Sequence, residues 1–233
     1  AQCAVEPGWI CEAGGCIPSA SPEPPVLQAE DAQKSDHLGA ALAVYGGTAI
    51  AGAPEHDENG LGSGAAYIFR VDETGHWAQS QRLLASDGND SDVFGAAVSM
   101  HGDVAVVGAP GDTDGPGLSG AAYVFEQDDD GHWSQTQKVR RASLNVAADF
   151  FGTSVAVHDE VLLIGAPERL SSLVSGRRTG VAYIYRRDPS EPPGDQWDYE
   201  ERLVPSDGGS GDRFGAALAI ETDWAVVGAP EKD

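Results

Sequence analysis

The sequence predicts an all-β protein, a propeller of four-stranded antiparallel blades, on three observations. A unit of nearly constant length recurs along the chain. Each unit reads as four short strands, and those strands pass in order from wholly apolar to half-polar. The 30 glycines and 14 prolines among 233 residues also suit short strands and tight turns better than long helices.

Self-comparison exposes the unit. His37-Leu-Gly-Ala-Ala-Leu-Ala-Val44, Val93-Phe-Gly-Ala-Ala-Val-Ser-Met100, Phe150-Phe-Gly-Thr-Ser-Val-Ala-Val157 and Arg213-Phe-Gly-Ala-Ala-Leu-Ala-Ile220 align without gaps. Each is followed by Gly-Ala-Pro, starting at Gly52, Gly108, Gly165 and Gly228. Leu38 to Phe94 is 56 residues, Phe94 to Phe151 is 57, and Phe151 to Phe214 is 63. The longest interval holds the extra loop Arg187–Gly194 and a longer Arg169–Thr179 loop. The units run at about 32–87, 88–144, 145–207 and 208–233, within a repeat region 25–233 that follows a Cys-rich segment 1–24.

Within a unit the first strand follows the Phe-Gly and alternates small and aliphatic residues, as in Gly95–Met100. The second, Val104–Gly108 or Val161–Gly165, is nearly all apolar, which marks a strand covered on both faces. The third opens at a glycine and carries a tyrosine, as in Gly64–Phe69, Gly120–Phe125 and Gly180–Tyr185. The fourth begins at Trp77, Trp133 or Trp197 and alternates, which suits a half-exposed outer strand. This gradient is what a blade requires. Strands near the axis lie between neighbouring blades, where Gly and Ala permit close approach, and the outermost strand borders water. A sheet apolar on both faces depends on its neighbours for burial.

Phe-Gly, then Gly-Ala-Pro, then Gly-Ala-Ala-Tyr-Val-Phe resembles the FG-GAP repeat of integrin α heads and many bacterial exported proteins. The resemblance covers about residues 26–233, with Leu38 standing where the family has Phe. It implies a propeller, often of about seven blades, commonly associated with calcium and used for adhesion or ligand display. The fourth unit stops after its second strand, while Pro25–Asp31 resembles a fourth strand without the three before it. The expectation is an incomplete arc, its missing blades supplied by the rest of a parent chain.

Acidic residues outnumber basic ones 37 to 14, a net charge of −23. Such a surface repels phosphate backbones, which argues against nucleic-acid binding, and no stretch of 18 apolar residues offers a membrane span. Cys3, Cys11 and Cys16 are clustered with glycine and proline, which reads as a disulfide-stapled segment of a secreted or cell-surface protein.

Two loops after Gly-Ala-Pro are acidic. Asp57 and Asn59, and Asp112 and Asp114, set oxygen ligands at alternate positions before a glycine, a pattern that can wrap calcium. The alternative is a pair of solvated Asx turns. The calcium positions of integrins do not transfer, because they precede Gly-Ala-Pro, where this chain has only the tight turns Gly102-Asp103, Asp159-Glu160 and Thr222-Asp223. The third loop, Arg169–Arg178, is basic instead. Asp36, Asp92, Asp149 and Asp212 each stand two residues before the Leu or Phe of the first motif, so their expected role is to fix the turn that inserts Phe94, Phe151 or Phe214 between blades. His76 and His132, with Gln196 in the third unit, mark a repeated turn, and His101 and His158 read as surface residues. No catalytic motif appears, and every titratable residue that stands out does so by repetition. The expected function is therefore a non-enzymatic binding scaffold whose variable loops, 54–63, 110–119 and 167–179, take a protein or glycan. The alternatives are an accessory propeller of a larger exported hydrolase, or a lectin with Trp77, Trp133 and Trp197 as stacking platforms.

Overall fold

The computed structural model of the chain describes residues 26–31, 33–113, 120–140, 149–168 and 178–232, together with the backbone of 9–12 and 15–18. Near the N-terminus β1 (Trp9–Glu12) and β2 (Gly15–Pro18) form a hairpin whose register sets Cys11 opposite Cys16. The repeats then build one sheet each. The first comprises β3 (Leu42–Tyr45), β4 (Thr48–Ala53), β5 (Ala65–Val71) and β6 (Trp77–Leu83). The second comprises β7 (Ala97–His101), β8 (Val104–Ala109), β9 (Ala121–Gln127) and β10 (Trp133–Val139). In the third are β11 (Ser154–His158), β12 (Val161–Ala166), β13 (Val181–Arg187) and β14 (Trp197–Leu203). The fourth has β15 (Ala217–Glu221) and β16 (Trp224–Gly228). Every pairing between these strands is antiparallel, and the strands of each sheet lie in chain order. These are propeller blades in an arc that does not close. Among the described residues there is no helix, and so none that could cross a membrane.

Packing follows the polarity gradient. One core cluster joins Ile50 and Ile68 of the first blade to Phe94, Met100, Val107 and Tyr123 of the second unit. Another joins Val106 and Val124 of the second blade to Phe151, Val157, Ile164 and Tyr183 of the third. A third, on the free face of the first blade, places Leu27, Ala29 and Leu38 over Tyr67 and Phe69. Residues 26–31 therefore stand where a preceding blade would place the end of its outer strand. At the two ends of the arc, side chains that are buried elsewhere are exposed: Leu42 and Val44 on β3, Trp224 and Val226 on β16.

Each outer strand carries a bulge. The register of β6 against β5 skips Ser80, so that Gln79 faces Phe69 while Gln81 faces Ile68. The same skip passes over Thr136 in β10 and Glu200 in β14. Residues i and i+2 of a strand normally share a face, and one inserted residue sends them to opposite faces.

Candidate functional site

The recurring residues converge on the junctions between blades. In each complete junction the residue before the Phe lies in the left-handed region, at φ 51° for Val93, 52° for Phe150 and 58° for Arg213, and the glycine after it lies near φ 90°. This sharp step drives Phe94 and Phe151 into the core, where their exposure falls to 0% and 1%. The loop is held by the recurring aspartate. Asp92 Oδ2 accepts the Asn89 N–H at 2.7 Å, and Asp212 and Asp36 accept the Gly209 and Gln33 N–H groups three residues before them. Asp149 is equally buried. Burial raises the Asp92 carboxyl pKa, with the nearby Asp112 charge adding to it against the pull of the Asn89 bond.

The glycines at these junctions make room for backbone. A Cβ on Gly52 would lie 1.9 Å from the Gly95 carbonyl oxygen, one on Gly108 would lie 2.0 Å from that of Gly152, and one on Gly165 would lie 2.0 Å from that of Gly215. Gly228, on the last strand, meets nothing closer than 3.3 Å.

Farther from the axis the contact is made by glutamine. Gln81 Nε2 donates to the Trp133 carbonyl at 2.6 Å while its Oε1 accepts the Trp133 N–H at 2.9 Å. Gln137 brackets Trp197 in the same way, at 3.0 and 2.8 Å. Facing backward, Gln79 and Gln135 accept the N–H groups of Glu30 and Ser86. The bulge makes this division possible. Glu201 holds the corresponding place in the third blade, where a carboxylate can accept an N–H but not donate to a carbonyl. Gln137→Glu is therefore expected to lower stability by about 1–3 kcal/mol, the cost of leaving the buried side of the Trp197 carbonyl unpaired. Urea unfolding of the variant beside the parent measures it.

The same junction holds a polar cluster that the sequence reading missed. The Tyr123 hydroxyl oxygen lies 2.5 Å from Asp112 Oδ2 and 2.9 Å from Asp87 Oδ1, its single proton available to one carboxylate at a time, and Lys138 Nζ lies 2.7 Å from Asp87 Oδ2 and 2.8 Å from Asp112 Oδ2. Burial works to raise the Asp87 pKa, but the hydrogen bonds from Lys138 and Tyr123 and the Lys138 charge outweigh it and hold it low. Burial and the two carboxylates drive the Tyr123 hydroxyl pKa far up. One junction earlier Asp31, Tyr67 and Arg82 take the places of Asp87, Tyr123 and Lys138, with Glu58 as the second carboxylate on the arginine. The signal available in the sequence was the pairing of Asp31 with Asp87 and of Arg82 with Lys138 at equal repeat positions.

The loop residues read as calcium ligands have protein partners. Asp57 Oδ1 accepts the Gly62 N–H at 2.7 Å, the Asn59 amide reaches the Ala85 carbonyl at 3.4 Å, and Asp112 is in the cluster just described. Asp114 and most of the basic third loop lie outside the described residues, as do Cys3 and the side chains of Cys11 and Cys16. Leu61, at the tip of the first loop, is 73% exposed beside Glu55, Asp57 and Glu58. Trp133 and Trp197 are 2% and 3% exposed within the inter-blade cores, so these two indoles are not open stacking platforms, whereas Trp77 is half-buried against the first blade. At the Gly-His-Trp turns the histidine acts through its backbone: His76 and His132 donate N–H to Asp72 and Asp128 and accept from them through their carbonyls. That is why Gln196, whose carbonyl accepts the Asp188 N–H, can replace them.

Rigid blades locked by recurrent residues, with the non-recurrent residues left to loops, define a repeat scaffold. The chain belongs to the FG-GAP repeat family: that repeat matches residues 25–69, 77–125, 133–185 and 197–233. No curated protein matches the chain. Among solved structures it is similar to the crystal structure of Sqt1 from Chaetomium thermophilum, with a TM-score of 0.44 and 15% identity over 75% of this chain and 38% of that one.

Proposed function

We propose that the chain is an exported, non-catalytic binding scaffold whose loops after Ala-Pro engage a protein with a basic, apolar-centred surface. The carrying observation is the first loop, which sets a largely exposed leucine, Leu61, among Glu55, Asp57 and Glu58. Loop backbone bonds hold it there: Leu61 N–H donates to Asp90 at 3.0 Å, and Gly60 and Ser63 close turns below it. A large apolar side chain held rigidly in a charged rim is how interfaces anchor, because little ordering entropy is lost on binding. The net charge of −23 favours a cationic partner and speeds the encounter. By contrast, the residues that recur are taken up by inter-blade contacts and are not free for recognition.

The test immobilises the chain and screens it against a panel of extracellular proteins of graded charge and against a glycan array. The reading expects protein binding that falls as salt rises and is lost in Leu61→Ser and Glu55→Lys at unchanged melting temperature. Glycan binding, or protein binding indifferent to both substitutions, would overturn it. A calcium ion held by Asp57 and Asn59 would raise the melting temperature by mass action. Since Asp57 and Asn59 already bond within the protein, millimolar calcium is expected to leave it unchanged.

A further inference from the structure

We propose that His101, His158 and Asp159 form a binding site for a divalent transition-metal ion, zinc foremost, on the inner rim between the second and third blades. His101 and His158 occupy one repeat position, the last residue of β7 and of β11. Read as surface residues in the sequence, they are instead brought together because the innermost strands converge. Their rings stack with centroids 4.1 Å apart and planes 29° apart, and their side chains are only 22% and 20% exposed. Tyr45, at the same position of the first blade, packs on the outer side of His101 at 4.7 Å and restrains it.

Both imidazoles turn the same nitrogen toward one carboxylate. His101 Nδ1 lies 3.3 Å from Asp159 Oδ1, and His158 Nδ1 lies 3.4 Å from Asp159 Oδ2. A donor atom from each of the three residues lies within 4.8 Å of the others. Zinc bonds to nitrogen and oxygen are about 2.0–2.1 Å, and the edge of a tetrahedron that size is about 3.3–3.4 Å. Each histidine–aspartate separation thus has the length of a tetrahedral edge, but each runs to a different oxygen of the carboxylate, so a small side-chain rotation must bring both nitrogens onto one ion. Asp159 is placed by the two-residue turn it begins, at φ 49°, a left-handed conformation that aspartate tolerates better than most residues.

The donor set selects the ion. Two imidazoles and a carboxylate suit zinc, nickel, cobalt or copper, whereas calcium and magnesium require oxygen shells. The His101 Nδ1 lone pair accepts the Asp159 N–H at 3.2 Å and would pass to the metal, so binding gives up one long hydrogen bond. The site opens on a groove of about 650 Å³ lined also by Asp103, Glu160 and Asp223 and by Arg186 and Arg187, whose guanidinium groups pair with Glu200 and Glu126 and not with Asp159. Asp31, His56 and Glu58 are the other such group among the described residues. There Arg82 already pairs with both carboxylates, so a cation is in place.

Calorimetry with zinc and electron paramagnetic resonance with copper test this on the full chain after its cysteines are alkylated. The expected result is one equivalent of zinc bound, and a copper spectrum coupled to two imidazole nitrogens. His158→Ala and Asp159→Asn should each weaken zinc binding by more than the roughly 10- to 100-fold that a supporting partner is worth, with circular dichroism confirming the fold. No saturable zinc binding to the parent chain, undiminished binding in folded variants, or copper coupled to a single imidazole would overturn the proposal. Because the copper measurement uses the unaltered residues, the proposal stays falsifiable even if a variant misfolds.

Discussion

Gly108→Ala is expected to be among the most damaging single-methyl changes in the chain, on the order of 4 kcal/mol. The added Cβ would stand 2.0 Å from the Gly152 carbonyl oxygen, less than any real contact, and what it meets is backbone. A flexible side chain could swing away, but Gly152 cannot retreat. Its own N–H donates to the Gly165 carbonyl at 3.0 Å, and it lies against Ala121 of the second blade. Relief therefore requires the second and third blades to separate, which would open the core around Phe151. The control lies in the same motif. Gly228→Ala meets Ala217 of the neighbouring strand, at 3.3 Å for its Cβ and 3.6 Å for its carbonyl oxygen, and is expected to change stability by less than about 1 kcal/mol. Thermal unfolding of both variants decides the point. Equal effects at the two sites would show that Gly-Ala-Pro glycines act within a strand and not between blades.

Phe94→Ala is expected to cost about 3–5 kcal/mol. The ring is fully buried and meets Tyr123 edge-on at 5.3 Å and Phe125 at 6.0 Å, in a cluster that also holds Ile50 and Ile68. Its loss leaves a cavity whose walls belong to two separate sheets, and the backbone that carries it is fixed by the Asp92 turn, so collapse is limited. Leu38, the corresponding side chain of the first unit, is only partly buried against Leu27 and Tyr67. Leu38→Ala should cost clearly less. Denaturant unfolding at several wavelengths would measure both, and a Phe94 effect no larger than that of Leu38 would sink the inter-blade account.

The blades, their four strands and the glycine and phenylalanine positions were legible because they recur, and recurrence can be read from one chain. Residues that act across a junction were harder to see. Gln81 and Gln137 look like polar positions on a half-exposed strand until the bulge at Ser80 or Thr136 turns them toward the next blade, and no local pattern announces a bulge. Lys138 and Asp87 are 51 residues apart and meet only because one blade ends where the next one's tyrosine points. That the two histidines meet was hidden for the same reason: a position before a turn stands apart in a single hairpin, whereas hairpins gathered round an axis press such positions together. For the first loop, composition offered either an ion or an Asx turn, and Asp57 Oδ1 accepts the Gly62 N–H of the same loop.

The junctions also differ in what fixes them along the radius. Near the axis the contact is peptide against peptide, a glycine under a carbonyl, so its spacing follows from covalent geometry and cannot drift without steric collision. At the periphery the spacing depends on glutamine side chains and bulged strands, which mutation can lengthen, shorten or recharge, as Glu201 illustrates. Each blade is thus a wedge with a fixed inner pivot and an adjustable outer edge. Changes to the outer strand alone can widen or narrow the wedge angle, and with it the number of wedges that complete a turn, without touching the motif that makes them wedges.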